Sequence, residues 1–226
     1  MRNIKLSDLT LVIPAKEDYE CLKKLFFKIR LLDVNKILVL SKDYNQSLKF
    51  KSSKLKIFKQ SKAGFGNALI EGIQKVKTKY FCIFNADGSF NHNDIKKMLR
   101  ICKLGKDFVF ASRYMQNAYS KDDTVVTLIG NKIFTILGNF FYKLNLTDIL
   151  YTFILGDKKK FNSLNINSNG FEFCVELPIK IKKKNLSYLS LPSIEEKRIY
   201  GKKNVNELVD GFKILFKMLI LYFIIK

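Results

Sequence analysis

Three stretches of this sequence set polar or charged side chains directly behind an apolar run: "IPAKED" at 13–18, "NADGS" at 85–89 and "ASRY" at 111–114. In open α/β sheets, ligands bind beyond the carboxyl ends of the strands. Asp87 in the second stretch could hold a divalent cation through carboxylate oxygen, with substrate phosphates supplying further ligands. The same Asp87-Gly88 pair also fits an ordinary turn before a helix capped by Asn91 or Asn93. Spacing alone leaves both readings open.

The segments that would position these residues alternate in type. "LTLVIPA" (Leu9–Ala15), "KILVLS" (Lys36–Ser41), "LKIFK" (Leu55–Lys59), "YFCIF" (from Tyr80) and "DFVFASRY" read as strands. Between them lie helical patterns. Leu22, Leu25, Phe26, Ile29 and Leu32 share one face, "GFGNALIEGIQKVK" opens on two glycines, and "NDIKKMLRICKLG" ends at Gly105. This alternation predicts βαβ units, an α/β fold with a mostly parallel sheet flanked by helices. After Tyr114 the pattern changes. A long amphipathic or buried helix begins at Asp122 and Asp123, "TDILYTFILG" is strand-like, and "GFEFCVELPIKIKKKN" is helix-like with Pro178 as a kink or boundary. A short strand "LSYLSLP", a charged loop and a final apolar helix follow.

The 226 residues fit one domain, or one with a small appendage. Lys and Arg number 41 against 20 Asp and Glu, a formal charge of +21. That balance reflects either a lysine-rich composition or an anionic partner such as a nucleotide or a membrane surface. No interleaved Arg and aromatic pairs or RNA-binding motif supports a nucleic-acid partner. Cys21, Cys82, Cys102 and Cys174 form no CxxC pair and read as reduced core thiols; a single histidine, His92, argues against His-based zinc sites and a Ser-His-Asp triad. "MRNIKLSDLT" lacks the apolar region of a signal peptide, so a cytoplasmic protein is expected. The apolar run Met218–Ile225 is too short to span a bilayer. Residues 213–226 then read either as a buried terminal helix or as an interfacial helix on an anionic membrane, with Lys213 and Lys217 at the headgroups.

The series "LTLVIPAKED", "AGFGNALIEGI", "YFCIFNADGSFNHNDIKKML", "FVFASRYM", "LTDILYTF", "NGFEFCVEL" and "PSIEEKRIYGKKN" occurs in that order. Together these motifs resemble family 2 glycosyltransferases of the GT-A fold, particularly the branch of dolichyl-phosphate mannose and undecaprenyl-phosphate sugar synthases. The resemblance implies a Rossmann-like nucleotide-diphospho-sugar transferase domain over 1–212 and a separate C-terminal apolar helix over 213–226. It implies an inverting, metal-dependent transfer, with Mg2+ or Mn2+, from a UDP- or GDP-sugar to a glycan or lipid-linked acceptor. It also suggests a peripheral enzyme on the inner face of the membrane. By resemblance, Pro14, Ala15, Lys16 and Glu17 cradle base and ribose. Asn85 and Asp87 fall on the Asp-x-Asp motif that contacts metal and diphosphate, with Ser89 beside them as a metal ligand. Arg113 would face acceptor or diphosphate, and Arg198, Lys202 and Lys203 match a loop that closes on the phosphates. Asp148 and Glu176 would serve the acceptor, Glu176 as base.

The sequence also departs from the family. Asn85 replaces the first Asp, and Ser41 and Lys42 stand where carboxylates are usual. Asp122 and Asp123 occupy a region where the lipid-phosphate synthases tend to carry arginine, and acidic groups repel an acceptor phosphate. A sugar hydroxyl acceptor therefore competes with the polyprenyl-phosphate alternative. A catalytically weakened nucleotide-sugar binder is the third reading.

Overall fold

The computed structural model describes residues 5–16, 19–50, 52–199 and 206–224. Nine strands and seven α-helices occur among them, after a short 3-10 turn at Leu6–Asp8: β1 (Leu9–Ala15), α1 (Tyr19–Lys28), β2 (Asn35–Leu40), β3 (Leu55–Lys59), α2 (Phe65–Gln74), β4 (Tyr80–Ile83), α3 (Asp94–Lys103) and β5 (Phe108–Ser112). They continue as β6 (Tyr119–Ser120), α4 (Val125–Tyr142), β7 (Ile154–Asp157), α5 (Lys158–Ser163), α6 (Phe173–Lys183), β8 (Tyr188–Pro192), β9 (Ile194–Glu195) and α7 (Glu207–Ile224).

Seven strands form one sheet in the order β3-β2-β1-β4-β7-β5-β8. Strands β1, β4 and β5 are buried along their whole length, which explains their largely apolar sequences, with Thr10 and Ser112 the buried polar exceptions. The pairs β1–β2, β1–β4, β2–β3 and β5–β8 are parallel. β7 runs antiparallel to both neighbours, β4 and β5. Two short strands absent from the sequence reading, β6 and β9, pair parallel beside the main sheet. Strands β1, β2 and β3 step one way across the sheet and β4 sits on the other side of β1. The topological switch point therefore lies between the ends of β1 and β4, where such sheets bind ligands.

Two apolar clusters sandwich the sheet. One holds α1 and α3; the other holds α2, α6 and one stripe of α7. Pro178 lies inside α6, which continues through it. All four cysteines are buried free thiols. α7 runs unbroken across position 213 and buries Ile214, Met218 and Leu221 in the second cluster, so the expected boundary between 212 and 213 falls inside one packed helix.

Candidate active site

The switch point opens into a cleft of about 440 Å3, within the range of small-molecule and cofactor sites. Pro14, Ala15 and Lys16 line it from the end of β1, Asn85 and Asp87 from beyond β4, Arg113 from beyond β5, and Arg198 from the loop after β9. The structure thus brings together seven of the residues singled out in the sequence. Glu17, Lys202 and Lys203 lie outside the described residues.

The loop after β4 is held from several sides. Asp87 Oδ1 accepts from the Ser89 N–H (3.0 Å) and the Ser89 hydroxyl (2.9 Å), a tight turn that fixes the carboxylate. Lys28 of α1 donates to the Gly88 carbonyl at 2.7 Å. The segment after β9 runs beside the loop: Ile199 N–H donates to Asp87 O (2.7 Å) and Glu196 N–H to Ser89 O (2.8 Å). Gly88 has φ +74°, and a Cβ there would sit 2.2 Å from the Ile199 side chain. Only glycine satisfies both conditions. Backbone pairing thereby couples Arg198 to the Asp87 turn. Arg198 also forms a bidentate pair with Asp122, through Nε at 3.2 Å and Nη2.

Asn85 answers whether this loop suits a cation. Its Oδ1 is buried and has no hydrogen-bond partner, an arrangement that costs energy unless something supplies the missing contact. No group of three or more His, Cys, Asp or Glu side chains that could hold a metal occurs among the described residues. Asp87 and Asn85 therefore offer one carboxylate and one amide oxygen. A hard divalent cation would complete its oxygen shell from a diphosphate and water. The residues fit such an ion bound together with its nucleotide. Ser89 is nearly fully buried and its hydroxyl donates to Asp87, so it serves the turn.

Arg113 lies at the centre of a buried ion cluster. Its Nε and Nη2 make a bidentate pair with Asp148 at 2.7 and 3.0 Å, and its own N–H donates to Asp148 Oδ2 at 3.1 Å. Nη1 reaches Glu195 at 3.2 Å and Asp123 at 3.3 Å, and the guanidinium lies 4.5 Å from the Tyr151 ring centroid. Burial opposes the charge on Arg113, but the carboxylates around it win and hold its pKa well above the ordinary value. Glu195 goes the other way: burial pushes its pKa up despite Arg113 and Ser120. Asp148 is absent from the cleft wall; it orients Arg113 from behind.

Glu176 also stands away from the cleft. It is fully buried, and its carboxylate accepts from the N–H groups of Asn167 (3.2 Å) and Ser168 (2.8 Å) and from the Ser168 hydroxyl. Lys180 and Lys217 approach it at 2.6 and 3.4 Å. Lys217 therefore turns inward to balance a buried charge, contrary to the expectation of a headgroup lysine. The loop that Glu176 holds packs against the glycine turn before α2. A Cβ on Gly66 would meet Ser168 O at 2.2 Å, one on Gly64 would meet Asn169 O at 2.2 Å, and Asn67 N–H donates to Asn169 O. Since Ala63, Gly64 and Phe65 line the cleft, Glu176 shapes it at one remove. Burial alone would raise the Glu176 pKa, but bonds from Lys180 and Ser168 and the charge of Lys217 bring it below its ordinary 4.5. Its contribution to stability is present above pH 4.5 and fades as pH falls through the lower folded value. In Glu176→Gln, denaturant unfolding should show about 1.5–3 kcal/mol lost at neutral pH and a shallower decline in acid than wild type. An unchanged midpoint at neutral pH would count against this anchoring role.

The sequence reading missed Asp43, Glu195 and Glu207, which also line the cleft. Asp43 follows Ser41 and Lys42, both in the wall, and a carboxylate one residue beyond the family position was the available signal. Among the described residues, six carboxylates and four cations line the cleft (Asp43, Asp87, Asp122, Asp123, Glu195, Glu207; Lys16, Lys42, Arg113, Arg198). In a chain of net charge +21, this described part of the wall carries more carboxylates than cations.

A polar cleft at the switch point of a mostly parallel sheet is the arrangement of open α/β ligand-binding folds. The model of glycosyl transferase family 2 matches residues 36–164, and the chain belongs to that family. An uncharacterized protein of Methanocaldococcus jannaschii is 28% identical over 163 residues, 69% of this chain and 67% of its own. The glycosyltransferase AglJ of Haloferax volcanii is 24% identical over 154 residues, 67% of this chain; the match spans 50% of that relative's length. Among solved structures, a mycobacterial protein superposes with TM-score 0.68 at 12% identity, covering 93% of this chain and 73% of its own. Glucosyl-3-phosphoglycerate synthase from Mycobacterium tuberculosis, in complex with Mn2+, UDP-glucose and glycerol 3-phosphate, superposes with TM-score 0.65 at 13% identity, covering 94% and 79%. At these identities the solved structures establish the GT-A fold.

Proposed function

We propose that the protein transfers a sugar from a UDP- or GDP-sugar to a hydroxyl of a lipid-linked glycan, by direct displacement with inversion. The observation that carries this reading is the meeting of Asp87, the unpartnered Asn85 oxygen and Arg198 at the switch-point cleft of a family 2 chain. Asp87 and Asn85 would hold a divalent cation, which when bound supplies charge to the leaving diphosphate. Pro14, Ala15 and Lys16 border the donor at the end of β1, and Arg198 offers a second cation to the phosphates. The acceptor oxygen attacks the anomeric carbon, the bond to the diphosphate oxygen breaks, and the nucleoside diphosphate leaves with the electron pair.

The acceptor hydroxyl must lose its proton, and a raised pKa suits the group that takes it. Glu195 lines the cleft and has that property. Asp123 and Glu195 already engage Arg113, which leaves that cation less free to hold an acceptor phosphate and sets the polyprenyl-phosphate alternative second. The test supplies a labelled nucleotide sugar with a lipid-linked saccharide or with polyprenyl phosphate. Label should pass to the saccharide, and Glu195→Gln should slow this while leaving donor binding intact. Transfer to the polyprenyl phosphate alone would overturn the hydroxyl assignment.

A further inference from the structure

Helix α4 is inside-out for a surface helix. Asn131, Thr135 and Asn139, spaced four apart, face the body of the protein. Asn131 Nδ2 donates to the Tyr114 hydroxyl at 2.8 Å, and Thr135 Oγ1 accepts from Ile149 N–H at 3.2 Å. Asn139 brackets Leu146, donating to its carbonyl at 2.8 Å and accepting from its N–H at 3.0 Å. The outer side carries Ile129, Ile133, Ile136 and Phe140, which are 50–77% exposed. α7 lies alongside. The Tyr142 hydroxyl donates to Met218 O, the Tyr222 ring meets Phe141 at 5.5 Å, and Thr127 donates to Glu207. Its own outer side presents Phe212 and Phe216, 71% and 65% exposed. An uncovered apolar surface of this extent marks an interaction site.

We propose that the joined outer faces of α4 and α7 seat the protein on an anionic lipid bilayer, with both helices lying in the interface. Several observations favour lipid over other occupants. α4 is long and apolar enough to cross a membrane by length and composition, yet crossing would strip its inward hydrogen bonds, whereas lying at interfacial depth keeps them. Lys217 turns inward and Lys213 sits 3.9 Å from Asp210, so α7 adds little charge to the apolar face. Two copies of a chain carrying +21 repel each other, while an anionic headgroup layer attracts that charge. The same helices border the cleft through Thr127 and Asn131 of α4 and Glu207 and Ile214 of α7. Docking therefore sets the cleft edge at headgroup level. The use of this seat for a lipid-linked acceptor rests on the function proposed above; the seat itself does not.

Flotation of the full chain with phosphatidylcholine vesicles, with and without phosphatidylglycerol, tests it. Wild type should float with the anionic vesicles. The pairs Ile136→Ser/Phe140→Ser and Phe212→Ser/Phe216→Ser should each cut the bound fraction by about tenfold or more. The pair Phe27→Ser/Leu31→Ser, at exposed apolar positions in and after α1, should leave it unchanged. Thermal unfolding and nucleoside diphosphate binding in the same variants check that the fold survives. Vesicle binding indifferent to the α4 pair would overturn the proposal, since charge alone would then explain attachment. A concentration-dependent dimer that those pairs abolish, without vesicle binding, would assign the face to a second copy and also overturn it. Vesicle binding by a wild type that binds no nucleotide would support the seat and sink the donor reading.

Discussion

Asp87→Asn should lower kcat for the proposed sugar transfer by about 100- to 1000-fold, with the fold intact. The substitution keeps the size of the side chain and its ability to accept from Ser89, so the turn is retained. It removes the one carboxylate that the loop after β4 offers to the cleft wall. A cation held by two amide oxygens and a diphosphate would bind weakly and lie poorly placed for the departing phosphate. Circular dichroism and unfolding midpoints should match wild type. Turnover within a few-fold of wild type at saturating manganese would remove Asp87 from this role.

Arg113→Met produces the largest loss of stability expected here, about 3–5 kcal/mol at neutral pH. Arg113 is the cation common to Asp148, Asp123 and Glu195, whose side chains are 0%, 10% and 9% exposed. Methionine fills much of the volume but leaves three buried carboxylates facing one another. Burial and mutual repulsion then raise their folded-state pKa values above the unfolded ones. A folded state that binds more protons than the unfolded state gains stability as pH falls. The variant should therefore recover part of its loss between neutral pH and the unfolded carboxylate range near 4. Wild type, in which burial already raises the Glu195 pKa, should show a smaller recovery. Denaturant titrations at pH 7 and 5 read the difference, and a loss below about 1 kcal/mol would show that the cluster is effectively solvated.

Much of the sheet was legible because buried parallel strands are apolar throughout and end abruptly. "YFCIFNADGS" announces both a strand and the loop beyond it. The direction of β7 was not legible: "YTFILG" carries the same apolar signal whichever way it runs, and only its neighbours β4 and β5 define it as antiparallel. Glu176 illustrates a different limit. A carboxylate in the apolar run "FCVELPI" signals a buried charge with a task, but the task here is capping loop N–H groups, which are eight and nine residues away and invisible to the family pattern. The Arg113 cluster draws its carboxylates from 10, 35 and 82 residues away. Such a site is set by the fold and leaves no local spacing. α4 lay between. Its length and apolar character were plain, but deciding which side faces inward needed the partners of Asn131, Thr135 and Asn139.

The most direct test of the central claim, a nucleotide-sugar cleft built on Asp87, is calorimetric titration of UDP and of GDP into the full chain with and without manganese. One of the two nucleotides should bind, manganese should tighten it by about tenfold or more, and Asp87→Asn should remove that manganese effect while weaker metal-free binding persists. Binding of neither nucleotide, or a manganese effect that survives Asp87→Asn, would contradict the account.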